Sequence, residues 1–174
     1  MPGSGLNFKA ARKVFSATSL GFLLCFPAGA QALDFELARI EGSGFVRLNE
    51  LAPRLTLVNF WRADCPPCVA ELPMLLDAAS RQGFRLVTVS LQTLAETRAH
   101  WPQVPGAPDD HVALLGPPEP RGLLRRFGNR SGALPYSALL RRDGSLCAAH
   151  SGEISAAWLA KNLEICDHAR HAQP

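Results

Sequence analysis

A run of β-forming residues that leads into a Cys-x-x-Cys constrains this chain more than any other feature. Leu55-Thr56-Leu57-Val58-Asn59-Phe60-Trp61 is mostly apolar, as expected of a central strand covered on both faces. Cys65-Pro66-Pro67-Cys68 then opens a segment, from Pro67 to about Gln82, in which Val69, Leu72, Leu75, Leu76 and Ala79 recur at helical spacing until Gly83 ends it. Phe84 to Leu91 is a second strand of the buried kind. Strand, helix and strand in that order predict a parallel βαβ unit with a right-handed crossover, and hence an α/β fold.

The junction gives the two sulfurs different tasks. A thiolate at a helix N-terminus is stabilised by unpaired backbone N–H groups and the helix dipole, which depresses its pKa. Cys65 is therefore the expected nucleophile, and Cys68, one turn in and less exposed, the resolving thiol. Pro67 suits the first turn because its missing N–H has no intrahelical partner there. A purely structural disulfide or half of a zinc site would use the same spacing, but a second metal-ligand pair is missing. His100, His111 and His150 are scattered and His168 and His171 lie in the tail, so no metal site and no cofactor are expected.

The remaining chain reads as further strands and helices. Phe35–Ile40 and Phe45–Leu48 flank Gly42-Ser43-Gly44 as an N-terminal hairpin. Leu94 to Trp101 predicts a helix stopped by Pro102, and Pro102 to Pro108 a loop. His111–Leu115 predicts a short strand, and Arg121–Phe127 a helix stopped by Gly128. Its Arg121, Arg125 and Arg126 form a solvated face or a dock for a negatively charged redox partner. Tyr136–Leu140 and Leu146–Ala149 flank an Asp143-Gly144 turn, a strong hairpin signal, and Ser155–Ile165 predicts a last helix.

The first residues are an address. Lys9, Arg12 and Lys13 precede the apolar run Val14–Phe26, and small residues follow in Pro27-Ala28-Gly29-Ala30-Gln31-Ala32. This is the pattern of a secretory signal peptide over residues 1–32, cleaved after Ala32 or Ala30, with an uncleaved anchor as the alternative. One domain over 33–174 and a periplasmic location follow. Beyond Leu33 the chain holds 15 basic and 15 acidic side chains, so its charge calls for no nucleic acid or anionic surface.

Export makes disulfides permissible. Cys25 leaves with the leader, and Cys65, Cys68, Cys147 and Cys166 remain, with three possible connectivities. Spacing favours Cys65 with Cys68 and Cys147 with Cys166. If the last helix returns antiparallel to the strand holding Cys147, about 16 Å of helix and about 13 Å of strand bring both sulfurs to one end. The second pair is then a structural disulfide, with buried free thiols as the alternative.

Together, Val58-Asn59-Phe60-Trp61, Cys65-Pro66-Pro67-Cys68, Glu71-Leu72-Pro73, Phe127-Gly128, Gly132-Ala133-Leu134-Pro135 and Arg142-Asp143-Gly144 resemble the exported thioredoxin-like disulfide reductases of the TlpA/ResA/CcmG type, over roughly Asp34 to Lys161. The resemblance implies a thioredoxin fold with a mixed central sheet flanked by helices. It implies thiol-disulfide exchange, commonly the reduction of oxidised partners, including apocytochrome c cysteines. It also implies a cis Leu134–Pro135 bond beside the disulfide that leaves the Leu134 backbone free to pair with an incoming peptide, and a proton-moving acid at Glu71. Asn59 stands where cytoplasmic thioredoxins carry a buried acid; an amide takes no proton, so it is expected to satisfy backbone groups, and base catalysis to fall to Glu71. Asp64 departs from the family's usual aromatic before the first cysteine, and its charge is expected to oppose the Cys65 thiolate.

The expectation is thus an exported thiol-disulfide oxidoreductase that reduces disulfides in extracytoplasmic partner proteins and is itself re-reduced by a membrane thiol-disulfide electron donor. Two rivals use the same cysteines. One is a disulfide oxidase or isomerase of the same fold, and the other a Cu(I)-binding metallochaperone, for which a nearby Met or His motif is missing.

Overall fold

The computed structural model describes residue 1 and residues 31–51, 53–100 and 111–168. Residues 2–30 of the expected leader, Cys25 among them, the Pro102–Pro108 loop and the tail beyond His168 lie outside the described residues. In chain order the elements are β1 (Glu36–Arg39), β2 (Phe45–Arg47), a 3-10 turn (Leu48–Glu50), β3 (Thr56–Trp61), α1 (Pro66–Gln82), β4 (Arg85–Ser90), α2 (Leu94–His100), β5 (Val112–Leu115), α3 (Arg121–Arg126), β6 (Tyr136–Leu140), β7 (Leu146–Ser151) and α4 (Ala156–His168). Among the described residues no helix is long and apolar enough to cross a membrane.

The strands form one mixed seven-stranded sheet in the order β2-β1-β5-β4-β3-β6-β7. β3 runs parallel to β4 and β4 to β5, while β6 is antiparallel to both β3 and β7. Every residue of β3, β4 and β6 is buried, which is why their sequences are near-continuous apolar runs. Side chains alternate between the two faces. Val58, Phe60, Val87, Val89, Ala138 and Leu140 pack on one side with Leu123 and Leu124 of α3 and with Phe35, Leu37 and Val46 of the N-terminal hairpin. Leu57, Leu86 and Leu139 pack on the other with Leu75, Leu76 and Ala79 of α1 and Leu159 and Leu163 of α4. Each such fully buried Leu contributes about 1.5 to 3 kcal/mol relative to exposure.

The register decides what lies under the helix. Asn59 shares the α1 face with Leu57, and it stands opposite Ser137 on β6 and Thr88 on β4. A polar stripe thus crosses the centre of an apolar face. α1 runs 17 residues, and Pro73 stands within it, unable to donate to the carbonyl one turn back. Gly83 caps its C-terminus at φ 71°, a left-handed conformation that glycine adopts without steric cost.

Cys147 on β7 and Cys166 on α4 are joined, with Cα atoms 5.9 Å apart and a sequence separation of 19. The bond ties the C-terminal helix to the edge strand of the sheet. Replacing both by alanine is expected to cost about 3 kcal/mol, the value for closing a loop of this length, and to lower the melting temperature by about 10 °C. Thermal unfolding of the double variant measures it. Rapid alkylation of both residues in the native, non-reduced protein would contradict the linkage.

Candidate active site

The parallel strands β3 and β4 end at the edge where the chain turns into α1, so the start of that helix stands at the carboxyl ends of the central strands. Cys65 is the N-cap of α1 and is bonded to Cys68, with Cα atoms 5.2 Å apart. Cys65 is half-buried, whereas Cys68 has no exposed surface and packs with Trp61 and Leu72. An external thiol or disulfide can therefore meet the first sulfur and not the second.

The prolines sharpen this asymmetry. A helix leaves its first backbone N–H groups without intrahelical partners. Here Pro66 and Pro67 occupy the first two helical positions and carry no N–H, and the Cys65 N–H is directed to the Arg62 carbonyl at 3.4 Å. The Val69 N–H already bonds the Cys65 carbonyl at 3.1 Å, so the Cys68 amide is the single first-turn donor left to serve a Cys65 thiolate. The dipole of a 17-residue helix adds to it.

Leu134 packs into the same cluster as Cys65 and Cys68, and the Leu134–Pro135 peptide bond is cis. The loop before it is braced by Asn129, which is 2% exposed. Asn129 Nδ2 donates to the Ala133 carbonyl at 2.8 Å, and its Oδ1 accepts from the Gly132 N–H at 2.8 Å and the Ser131 hydroxyl at 3.1 Å. The approach to Cys65 thus has a fixed wall whose backbone is held from behind.

Glu71 lies one helical turn after Cys68 and is 1% exposed. Its Oε1 accepts from Asn59 Nδ2 at 2.7 Å, and its Oε2 from the Ile154 N–H at 3.0 Å. The same Asn59 Nδ2 donates to Ser137 Oγ at 3.0 Å. Asn59 was expected to satisfy backbone groups, but its amide donates to two side chains and orients the carboxyl. Burial pushes the Glu71 pKa up, against the two donors that hold it down, and the nearby Glu153 charge pushes it further up. A buried carboxyl whose pKa is raised in this way keeps its proton to higher pH than a free one, which suits it to exchange a proton with a neighbouring thiol.

From sequence alone the Asp64 charge is expected to oppose the Cys65 thiolate. Its carboxylate instead receives both arms of the Arg62 guanidinium, Nε to Oδ1 at 2.7 Å and Nη2 to Oδ2 at 2.9 Å. The Arg62 hydrogen bond holds the Asp64 pKa below the usual carboxylate range. The pair is close to neutral as seen from Cys65. Arg62→Gln is therefore expected to slow alkylation of reduced Cys65 at neutral pH about threefold and Asp64→Asn to speed it by a similar factor, with the double variant near wild type. Iodoacetamide kinetics on the reduced protein measure this, and equal rates in both single variants would remove the pair from the electrostatics of the site. Gln92 Oε1 accepts from the Ala63 N–H at 2.6 Å and fixes the same loop from β4's side. Neither Arg62 nor Gln92 was singled out from sequence. The i, i+2 spacing of Arg62 and Asp64 was the available signal for the first; nothing local marks the second.

Among the described residues no group of three or more His, Cys, Asp or Glu could hold a metal ion. Arg121, Arg125 and Arg126 are all exposed on α3, on the opposite side of the sheet from α1.

The AhpC/TSA family model matches residues 28–105. The chain is 26% identical over 141 residues to the thiol-disulfide oxidoreductase ResA of Halalkalibacterium halodurans, covering 79% of this chain and 76% of that protein. It is 35% identical over 83 residues to the sporulation thiol-disulfide oxidoreductase A of Bacillus subtilis, covering 41% and 49% of the two chains. The crystal structure of a thioredoxin-related protein from Neisseria meningitidis serogroup B superposes with a TM-score of 0.64 at 20% identity, over 76% of this chain and 98% of the other. The seven-stranded mixed sheet with its four helices is a thioredoxin fold.

Proposed function

We propose that this thioredoxin-fold thiol-disulfide oxidoreductase, of the kind represented by ResA and the sporulation thiol-disulfide oxidoreductase A, reduces disulfides in partner proteins outside the cytoplasm. The observation that carries the reading is the pairing of a half-exposed Cys65 with a fully buried Cys68 directly below a braced cis-proline loop. In the reduced protein the Cys65 thiolate attacks one sulfur of the partner's disulfide. A Cys65–partner disulfide forms, and the partner's other sulfur leaves as a thiolate that takes a proton from water. Pro135 and the Leu134 backbone hold the partner's chain against the site during this step.

Cys68 then gives up its proton to the Glu71 carboxylate and attacks the Cys65 sulfur. The Cys65–Cys68 bond forms, and the partner leaves with both cysteines reduced. Two electrons have passed to the partner, and a membrane thiol-disulfide donor must return them. Asn59, Ser137 and the Ile154 N–H act as positioning groups that keep the Glu71 carboxyl aimed while its charge changes. The leader over residues 1–32 supplies export.

Turnover of insulin disulfides by the mature protein with a chemical reductant tests the reading, with Cys65→Ser as the control. Stoichiometric copper retained on purification, with no turnover, would instead make the two cysteines a metal-carrying pair.

A further inference from the structure

Residues 119–130 hold four arginines and a single acid, Glu119, whereas the rest of the chain beyond Leu33 holds 11 basic and 14 acidic side chains. Three of these arginines, Arg121, Arg125 and Arg130, are exposed and line one concavity of about 210 Å³ with Asn129, Ser131 and Gly132. None of the three makes an ion pair or a side-chain hydrogen bond among the described residues, whereas Arg47, Arg62, Arg81 and Arg142 are each paired with a carboxylate. The floor of the concavity is the loop that Asn129 braces, and that loop runs directly into Leu134 and cis-Pro135 beside Cys65.

From this juxtaposition we infer that the arginine-lined concavity binds an acidic side chain of the substrate polypeptide, and so selects disulfides flanked by Asp or Glu. The proposal rests on the dithiol reading above and adds the substrate class to it. Gly132 is two residues from Leu134, about 7 Å of extended chain, so a substrate segment lying along this loop brings a side chain two or three residues from its attacked cysteine over the guanidinium groups. Arg is suited to the task because its planar fork donates two parallel hydrogen bonds to a carboxylate. On the other side of Cys65, Arg62 and Asp64 neutralise one another and Glu96 near them adds a negative charge, so the arginine cluster is where an acidic side chain finds positive charge.

The test uses three fluorescent peptide disulfides that differ only at the two positions flanking the cysteine pair on each side, carrying Asp, Asn or Lys. The reduced mature protein is expected to cleave the Asp peptide about tenfold faster than the Asn peptide at low ionic strength, and the Lys peptide most slowly, with the preference fading as salt is added. The triple variant Arg121→Ser, Arg125→Ser, Arg130→Ser should lose the preference and keep the wild-type rate on the Asn peptide. A variant with Arg39→Ser, Arg81→Ser and Lys161→Ser, which removes the same charge elsewhere, should retain it. An Asp preference that survives the first variant, or falls equally in both, would overturn the proposal. Anisotropy of the same peptides with Ser for Cys, titrated with the oxidised protein, reads the surface without chemistry. Tighter binding of the Asp form with no cleavage of any peptide would sink the reductase reading and leave the acidic dock standing; equal binding of all three would sink the dock alone.

Discussion

Cys65→Ser is expected to abolish disulfide reduction, by about a thousandfold or more, while Cys68→Ser keeps a first turnover and stalls. The difference follows from exposure: Cys65 is half-buried at the helix N-cap, and Cys68 has no surface at all. Without Cys65 no sulfur is reachable, and loss of a nucleophile removes the covalent route entirely. Without Cys68 the Cys65–partner disulfide forms but nothing adjacent resolves it. Incubation with an oxidised partner and non-reducing electrophoresis check this, since the Cys68→Ser protein should accumulate a reducible adduct and the Cys65→Ser protein none. Adducts of similar yield in both would reverse or erase the assigned roles.

Glu71→Gln should slow the resolving step about a hundredfold, the lower end of what a positioned acid–base group supplies. The wild-type rate should rise with pH as Glu71 loses its proton, over a range above that of an ordinary carboxylate because burial raises its pKa. The variant should lack that limb, a change that a packing defect would not produce. Stability moves with a defined sign. A carboxyl whose pKa is raised on folding holds its proton more tightly in the folded protein. Its favourable contribution is complete below the ordinary carboxylate range and is lost as pH rises through the folded value. Wild type should therefore lose stability relative to Glu71→Gln across that window and match it in acid. Urea unfolding of both proteins at several pH values measures this, and a constant difference would mean that Glu71 does not titrate as a buried group.

The parts of this account carried by strong local signals were legible in the chain. The β3-α1-β4 unit, its cysteines at the helix start and both hairpins follow from apolar period and turn chemistry, and the observed bounds differ there by one residue, or by two at the end of β7. The last helix runs on to His168 because Leu163 and Cys166 continue to face the sheet. The cis bond before Pro135 came from resemblance and not from any property of Leu134-Pro135 itself. What stayed hidden depends on contacts distant in sequence. Asn59 interrupts an apolar strand, which marks it as unusual, but only strand register sets it opposite Ser137 and beneath Glu71. The Ile154 N–H that completes the carboxyl's shell is 83 residues away from it. Asp64 was read alone because a charge in a loop has no period to reveal its partner.

The reduction potential of the Cys65–Cys68 pair, equilibrated against defined thiol-disulfide buffers, tests the claim that electrons flow from this protein to its partners. Thioredoxin lies at about −270 mV and the oxidant DsbA at about −120 mV, and each 30 mV corresponds to about 1.4 kcal/mol for the two-electron couple. The account predicts a value near thioredoxin's, at which the dithiol gives up its electrons readily. A value near that of DsbA would contradict it, because a disulfide so easily reduced takes electrons from its partners and oxidises them.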